Sequence, residues 1–258
     1  MLEETDDEYL ASTLTSLADL YVELGRFDEA EDVIARTLAR EVHWYQRVHV
    51  QLVQTWCALL RGRVDDATIL AVATMDVAER SENPDLIAHA IEGAAFAAMA
   101  RGELELASEL FGRMEGLARE HDLVHLVDAL SGLCVVAVLR GDHDAAARHR
   151  DQQRAHRDGH VTHMAGRRLA SAAVDLATDE VERAEQVTAG VLVSTERIGQ
   201  RHAHAQAMEL AAAIRAGTDR QAAVRLLATA DDERAAIGAT PWPLDPYREL
   251  ARRAINLE

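Results

Sequence analysis

Apolar and polar positions along this chain alternate with a helical spacing that short polar turns interrupt. The segment from Leu17 to Leu38, LADLYVELGRFDEAEDVIARTL, shows the unit: an apolar stripe, a turn at Gly25, and a second stripe that begins at Phe27. Similar turns recur as RGRVDDA, RGELELA, RGDHDAA, TDEVERA and GTDRQAA. Apolar residues three and four positions apart predict amphipathic helices, and the turns join these helices into hairpins.

One alanine follows each turn at a fixed place, and these marker alanines set the period of the chain. They are Ala30, Ala67, Ala107, Ala146, Ala184 and Ala223, and subtraction gives separations of 37, 40, 39, 38 and 39 residues. Small side chains let antiparallel helices cross closely, and a hairpin that cannot bury its own stripe must stack on the next one. We therefore predict an all-α protein, a right-handed α-solenoid of six hairpins in a single domain over 1–258.

The turn residues place the boundaries of the repeats. The predicted hairpins cover residues 8–40, 44–80, 84–120, 123–157, 160–197 and 200–237, and a closing helix covers 245–256. Asn83 and Pro84 predict a helix start, because asparagine is a good N-cap and proline suits the first helical position. The prolines between 241 and 246 mark the strongest break, which we interpret as the approach to the closing helix rather than to a second domain.

This pattern resembles the tetratricopeptide repeat (TPR) over residues 10–237. The units are longer than the usual ~34 residues, a length typical of the helical-repeat regions of large bacterial LuxR-type ATPase regulators and SARP-type transcriptional activators. The stretch RLLATADDERAAIGATPWPLDPYRELARRA, residues 225–254, is similar to the closing segment of those regions. The resemblance implies a sensor or assembly region of a bacterial transcriptional regulator whose DNA-binding domain lies elsewhere. A free-standing scaffold or adaptor is the alternative.

Composition narrows the function further. The net charge of -17 argues against a general basic surface for nucleic acid or an anionic membrane. All 27 basic residues are arginine, so the lysine of a P-loop or of a Schiff base is absent from the chain, and the composition suggests a GC-rich bacterial genome. The N-terminus is acidic, and Cys57 and Cys134 form no CxxC pair, so we expect a soluble, cytoplasmic, reduced protein. We interpret the final Leu257 and Glu258 as a vector scar, which would make this chain an excised fragment.

The first helices of stacked hairpins line a concave wall, so their non-core positions predict a groove. The predicted groove residues are His49, Trp56, Leu59, His89, Glu92, Phe96, Met99, Asp128 and Val135. Aromatic and methionine side chains with a few polar groups are typical of a ligand or peptide site. The alternative is that Trp56 and Phe96 merely fill a tightly wound superhelix. We expect the partner to be a protein or peptide segment or a small effector, and we expect no cofactor. The sequence does not decide whether the protein forms a homodimer.

The second helix of the fourth hairpin breaks the apolar pattern. After three alanines it carries Arg148, Arg150, Arg154 and Arg157 and no large apolar residue. Little hydrocarbon remains to anchor this helix, so we predict that it is the least stable one or that its arginines dock it elsewhere. A solvated charged face, a hinge and a contact with an acidic partner are the alternatives for its role.

Histidines supply the strongest candidates for chemistry. His121 and His125 stand four residues apart with Asp128 nearby, and a second group lies within His156–His163. Both segments fall at junctions between hairpins, where we expect exposed polar residues rather than a metal site. The chain contains no G-x-S-x-G elbow or glycine-rich phosphate loop. We therefore predict a binding module without catalytic residues, and a histidine-based metalloenzyme is the least favoured alternative.

Overall fold

The computed structural model describes residues 2–40, 43–156 and 164–256, with side chains from residue 9 onward. Within these ranges the chain is all α, with thirteen helices and no strand. None of these helices is both long and apolar enough to cross a membrane.

The helices form six hairpins and a closing helix. They are α1 (Leu2–Glu23) and α2 (Phe27–Leu38), α3 (Trp44–Leu60) and α4 (Val64–Arg80), α5 (Pro84–Ala100) and α6 (Leu104–His121), α7 (Leu126–Arg140) and α8 (His143–Ala155), α9 (Met164–Ala177) and α10 (Val181–Ile198), α11 (Arg201–Arg215) and α12 (Arg220–Ala236), and α13 (Pro246–Ile255). Each first helix packs against its own second helix and against the first helix of the next hairpin. This stacking confirms the all-α solenoid.

The marker alanines lie where the helices of each hairpin cross. All six have an exposed fraction of 0%, because a larger side chain would hold the two helices apart. The turn between the helices of the first hairpin uses the left-handed conformation at Gly25, with φ 71°. Asp179, in the turn TDEVERA, takes the same place in the fifth hairpin, with φ 67°. The small-residue period therefore has the steric cause that the sequence indicates.

Most helix ends lie within a few residues of the predicted bounds, but α1 begins at Leu2 rather than at residue 8. Asn83 caps α5, and its Oδ1 accepts hydrogen bonds from the backbone N–H groups of Asp85 and Leu86 at 3.0 and 3.4 Å. α7 begins at Leu126 rather than at 123, because Asp122 adopts a left-handed conformation that ends α6 and a turn follows it. The predicted junction between α8 and α9 lies in 157–163, outside the described residues.

The chain before α13 returns along the ends of the first helices. The N–H of Thr240 donates to the carbonyl of Arg61 at 3.1 Å, and the N–H of Leu244 donates to the carbonyl of Ala100 at 2.9 Å. These carbonyls lie at the C-terminal ends of α3 and α5, where an α-helix leaves its acceptors without intrahelical donors. The approach is close at Gly62, where a Cβ would overlap the carbonyl of Thr240. We call residues 237–247, which end in the first turn of α13, the closing segment.

Two further contacts close the solenoid. The indole Nε1 of Trp242 donates to the carbonyl of Leu59 at 2.6 Å, and Trp242 is buried. The side chain of Gln200, at the start of α11, donates to the carboxylate of Glu23 at the end of α1, at 2.8 Å. The sixth hairpin therefore contacts the first one, and the closing segment crosses the space between them.

Ion pairs dock α8 onto the fifth hairpin. The guanidinium of Arg150 is 2.8 Å from the carboxylate of Asp175 and 2.9 Å from that of Glu180, and Arg154 is 2.8 Å from Asp175. Asp175 has an exposed fraction of 0%. The structure therefore agrees with the prediction that the arginines of α8 dock this helix onto another part of the chain.

The predicted partner-contact surface therefore needs correction at two of its four residues. Arg150 and Arg154 bind carboxylates within the same chain, because no large apolar side chain is present to anchor α8. Arg148 is exposed on the same helix. Arg157 lies outside the described residues.

Candidate ligand-binding cavity

The concave faces of the hairpins and the closing segment surround one cavity of about 300 Å³, which we call the central cavity. Side chains from all six first helices reach it. Its lining includes Asp19, Trp56, Phe96, Asp128, Arg167, His202 and Trp242. Trp242 and Tyr247, both buried, belong to the closing segment and close the cavity on the side where α3 and α5 end.

Most of the predicted groove residues meet in this cavity. Its lining contains His49, Trp56, His89, Glu92, Phe96, Met99, Asp128 and Val135. Leu59 was placed in the groove wrongly, because its side chain has an exposed fraction of 0% and packs in the core. Leu60 lines the cavity instead, since it lies four residues after Trp56 and therefore on the same helix face. A role of these residues in binding stays a prediction.

The apolar part of the cavity is aromatic. The ring centroids of Trp56 and Phe96 are 5.0 Å apart, and those of Phe96 and Trp242 are 6.5 Å apart. Phe96 also makes an edge contact with Phe111 of α6, at 5.1 Å. These rings come from two neighbouring hairpins and the closing segment, so the stacking of the repeats and the closing segment together assemble the surface.

Histidines from α3, from α5 and from the N-cap of α7 form another part of the wall. The rings of His49 and His89 are 6.4 Å apart, and those of His89 and His125 are 5.2 Å apart. His125 Nε2 is 3.2 Å from a carboxylate oxygen of Asp85. Burial lowers the pKa of His49 below its usual range, although the carboxylate of Asp85 opposes the shift. The wall is therefore polar and hydrogen-bonding where the histidines lie.

This arrangement corrects the expectation of an exposed junction. His121 is exposed at the end of α6, but His125 has an exposed fraction of only 3%. The turn after Asp122 separates the two histidines, so they do not share a helix face. Among the described residues no group of three histidine, cysteine, aspartate or glutamate side chains is placed to hold a metal ion. The second histidine group, apart from His156, lies outside them.

An ion pair between the buried Asp128 and the half-buried Arg167 joins the fourth and fifth hairpins across the wall. Arg167 donates through Nε and Nη2 to the two carboxylate oxygens of Asp128, at 2.6 and 2.7 Å. Sequence reasoning named Asp128 and missed Arg167. A signal was present, because Arg167 lies one repeat of 39 residues after Asp128, and Gln206 lies a further 39 residues on. Both line the cavity.

Two more lining residues were missed for different reasons. His202 begins the wall contributed by α11, where the sequence pattern indicated only small apolar residues. Trp242 lies outside the repeats, so no repeat position predicts its place. A tryptophan between two prolines was the only sequence signal, since so large a side chain usually needs a partly buried site.

The fold and the central cavity define the class of this molecule: an α-solenoid protein built from TPR-like helical repeats. No family model matches the chain, and no curated protein matches its sequence. The structure is similar to a Rap protein in complex with Competence and Sporulation Factor, with a TM-score of 0.68 and 12% identity. That likeness covers 91% of this chain and 65% of the Rap protein, so the chain spans slightly less than two thirds of it.

Two further structures have related architectures. Aspartyl phosphate phosphatase F from Bacillus subtilis has a TM-score of 0.68 and 13% identity, over 90% of this chain and 61% of that protein. A kinesin light chain with nearly identical TPR-like repeats has a TM-score of 0.51 and 16% identity, over 72% of this chain and 96% of that one. At these identities the likeness shows the fold alone.

Proposed function

We propose that this protein is a non-catalytic binding module that recognises a protein segment or a small effector in the central cavity. The observation that carries the proposal is the convergence of all six hairpins and the closing segment on one cavity. The cavity combines an aromatic surface with a small set of polar groups, which is the usual composition of a ligand site. The aromatic rings supply contact area, and the polar groups fix the orientation of a ligand.

The closing segment restricts how a ligand sits. Trp242 and the backbone of Thr240 and Leu244 are bonded to the ends of α3 and α5, so they close one side of the cavity. An extended chain therefore does not thread through the solenoid. A peptide would enter with one end or one side chain, and a small effector would enter whole.

The similar structures support a binding role without specifying the ligand. A protein of this fold is in complex with Competence and Sporulation Factor, which shows that the fold is compatible with a bound factor. Another is named a phosphatase. We do not extend that activity to this chain, because the likeness is one of fold.

We place the module in a bacterial transcriptional regulator, as its sensor or assembly region. The long repeat units and the segment 225–254 support this placement through their resemblance to LuxR-type and SARP-type regulators. The gene in its genome tests it. A reading frame that continues into a nucleotide-binding or helix-turn-helix domain supports the regulator, and a frame that encodes the solenoid alone supports the adaptor.

Tryptophan fluorescence tests the binding site. Candidate effectors and a peptide library are titrated against the parent chain and against Trp56→Ala and Phe96→Ala, which remove the aromatic contact between the second and third hairpins. We expect a ligand of the cavity to lose about tenfold or more in affinity in both variants. Trp44→Ala is the control, because Trp44 is exposed and does not line the cavity. Affinity that is unchanged in both cavity variants would contradict the proposal.

A further inference from the structure

We infer that the part of the ligand that enters the central cavity is uncharged and joins an apolar body to a carboxamide or hydroxyl group. The inference rests on the proposed function, since it names the chemistry of the ligand in the same cavity. Three features of the lining carry it. They are the aromatic surface, the bonding of the charged side chains within the protein, and a buried histidine whose ring nitrogens have no hydrogen-bond partner among the described residues.

The aromatic surface accounts for the apolar body. The ring centroids of Trp56, Phe96 and Trp242 follow one another at 5.0 and 6.5 Å. Val135 and Ala170 also line the cavity. Contact with these side chains removes apolar ligand surface from water, and the gain in free energy grows with the area that is covered. This contribution to binding therefore needs no charge on the ligand.

The carboxylates and the guanidinium of the lining are already bonded within the protein. Among the described lining residues these groups belong to Asp19, Glu23, Glu92, Asp128 and Arg167. Arg167 donates to both carboxylate oxygens of Asp128, and Gln200 donates to Glu23 at 2.8 Å. Asp19 and Glu92 also have partners within the protein. A charged ligand group would lose its water and would have to compete with these contacts, whereas an uncharged group loses much less on entering the cavity.

His202 accounts for the carboxamide or hydroxyl group. Its exposed fraction is 5%, it lines the cavity, and neither ring nitrogen has a hydrogen-bond partner in the part of the chain that the structure describes. A neutral imidazole has one N–H donor and one acceptor nitrogen, and either nitrogen can carry the proton. A carboxamide or a hydroxyl both donates and accepts, so it pairs with the ring in either form. Such a bond relieves the cost of a buried polar group without a partner.

The cavity wall disfavours ions of both signs where His202 and Tyr247 lie. Burial, together with the positive charge of Arg234, lowers the pKa of His202 well below its usual range, so a cation is disfavoured at this position. Burial also raises the pKa of the Tyr247 hydroxyl well above its usual range, and nearby carboxylates add to the shift, so an anion is disfavoured there. Arg234 is 2.8 Å from Glu209 and 2.7 Å from Asp245, and one buried ion cluster therefore acts on both lining residues. An uncharged group avoids both costs.

Calorimetry with matched probes tests the inference. Hydrocinnamamide, hydrocinnamate and phenethylamine share a phenylethyl body, and near neutral pH they are an uncharged molecule, an anion and a cation. We expect hydrocinnamamide to bind at least about tenfold more tightly than either ion, because it loses less hydration free energy on entering the cavity. Benzylacetone keeps the carbonyl and has a methyl group in place of the amide nitrogen. It should bind several-fold less tightly than hydrocinnamamide, since it has no donor.

A peptide probe distinguishes the two sources of this chemistry. Acetyl-Ala-Phe-Ala amide carries a phenyl ring and uncharged backbone amides. Tighter binding of this peptide than of hydrocinnamamide identifies a protein segment as the ligand, and tighter binding of hydrocinnamamide identifies a small effector.

Variants at His202 separate its hydrogen bond to the ligand from its effect on the fold. We expect His202→Leu to weaken the binding of hydrocinnamamide about tenfold and to leave the unfolding midpoint at or above that of the parent, because it removes a polar group without a partner. His202→Gln keeps a donor and an acceptor and should restore part of the affinity. Thr188→Val is the matched control, since Thr188 is also buried and its hydroxyl has no partner among the described residues, but it does not line the cavity.

Each outcome decides the inference. Equal or tighter binding of hydrocinnamate or of phenethylamine overturns the uncharged class, and if that ion binds less tightly to Trp56→Ala, the cavity is still the ligand site and the proposed function stands. Failure of all these probes to bind also overturns the inference, and the fluorescence screen then judges the proposed function separately. Equal binding of benzylacetone overturns the need for a donor. An unchanged affinity for hydrocinnamamide in His202→Leu overturns the role of His202.

Discussion

Two helices at equivalent places in neighbouring hairpins, α6 and α8, are held by different physical means. Four residues after its marker alanine, α6 has Phe111 and α8 has Arg150; seven residues after it, α6 has Met114 and α8 has Gln153. All four side chains are buried. Hydrocarbon anchors α6, whereas hydrogen bonds and ion pairs anchor α8.

The apolar contacts of α6 and the polar contacts of α8 differ in how strictly they require particular partner residues. Phe111 and Met114 lie in the largest core cluster, where many apolar neighbours share the contact. Arg150 depends on Asp175 and Glu180, and Gln153 donates to the hydroxyl of Ser131 at 2.7 Å. A buried apolar side chain accepts any well-shaped apolar neighbour, but a buried charge needs its particular counter-charge. Loss of a partner should therefore affect α8 through an unpaired charge and α6 through a cavity.

The largest effect is expected from the apolar anchor. Phe111→Ala should lower the free energy of unfolding by about 4 kcal/mol, because it removes a fully buried ring and leaves a cavity. It should also weaken ligand binding, since Phe111 supports Phe96 at 5.1 Å. Urea denaturation measures the first effect. Leu106→Ala, at an exposed position on the same helix, is the control. An equal loss of unfolding free energy in Leu106→Ala would show that burial of Phe111 is not the cause of its effect.

The ionic anchor should give the next largest effect. Asp175→Ala leaves Arg150 and Arg154 facing each other without the carboxylate they share, and should cost about 3 kcal/mol in the free energy of unfolding. Asp151→Ala is the matched control, because Asp151 also contacts Arg150, at 3.2 Å, but is exposed to solvent. Similar denaturation midpoints for Asp175→Ala and the parent would show that α8 does not depend on this ion pair.

Replacing the whole ionic anchor with apolar residues should be far milder. We expect the triple variant Arg150→Met, Arg154→Leu and Asp175→Leu to regain about 2 kcal/mol or more relative to Asp175→Ala, because no buried charge is left without a partner. The same denaturation experiment gives the comparison. A triple variant as unstable as Asp175→Ala would mean that the geometry of the ion pairs, not their charge balance, holds the helix.

Amide exchange compares the two helices without mutation. We expect the backbone amides of α8 to exchange faster than those of α6. The buried side chains of α8 are Ala146, Arg150 and Gln153, which include no large apolar residue, whereas α6 buries Phe111 and Met114. The difference should widen in Asp175→Ala. Equal protection of both helices in the parent chain would remove the prediction that α8 is the less stable of the two.

The smallest effect is expected within α8 itself. Arg148 is exposed, so Arg148→Ala should leave the unfolding midpoint within experimental error of the parent value, unlike Arg154→Ala, which breaks bonds to Asp175 and Ser171. Thermal unfolding of the two variants side by side measures this. A marked shift in Arg148→Ala would indicate a contact beyond the described residues.

Sequence reasoning reached the solenoid and much of the cavity wall because both follow from position within a repeat. Trp56 and Phe96 share one place in successive units, so a helix map alone puts them side by side. The prediction for Leu59 was wrong, because a shift of one residue along the helix turns a side chain from the cavity to the core. Arg167 was within reach of the same register argument, whereas the lack of a partner at His202 depends on distances that no spacing supplies.

The sequence by itself determined the helical hairpins, their number and their order of stacking, because the contacts involved are local and repeat with the period of the small residues. Only the tertiary structure decided that the solenoid closes. Trp242 meets Leu59 across 183 positions of the chain, and Gln200 meets Glu23 across 177. Such contacts depend on the twist accumulated over all the hairpins, so the closed side of the cavity and the neighbours of each buried charge appear only once the hairpins are stacked in space.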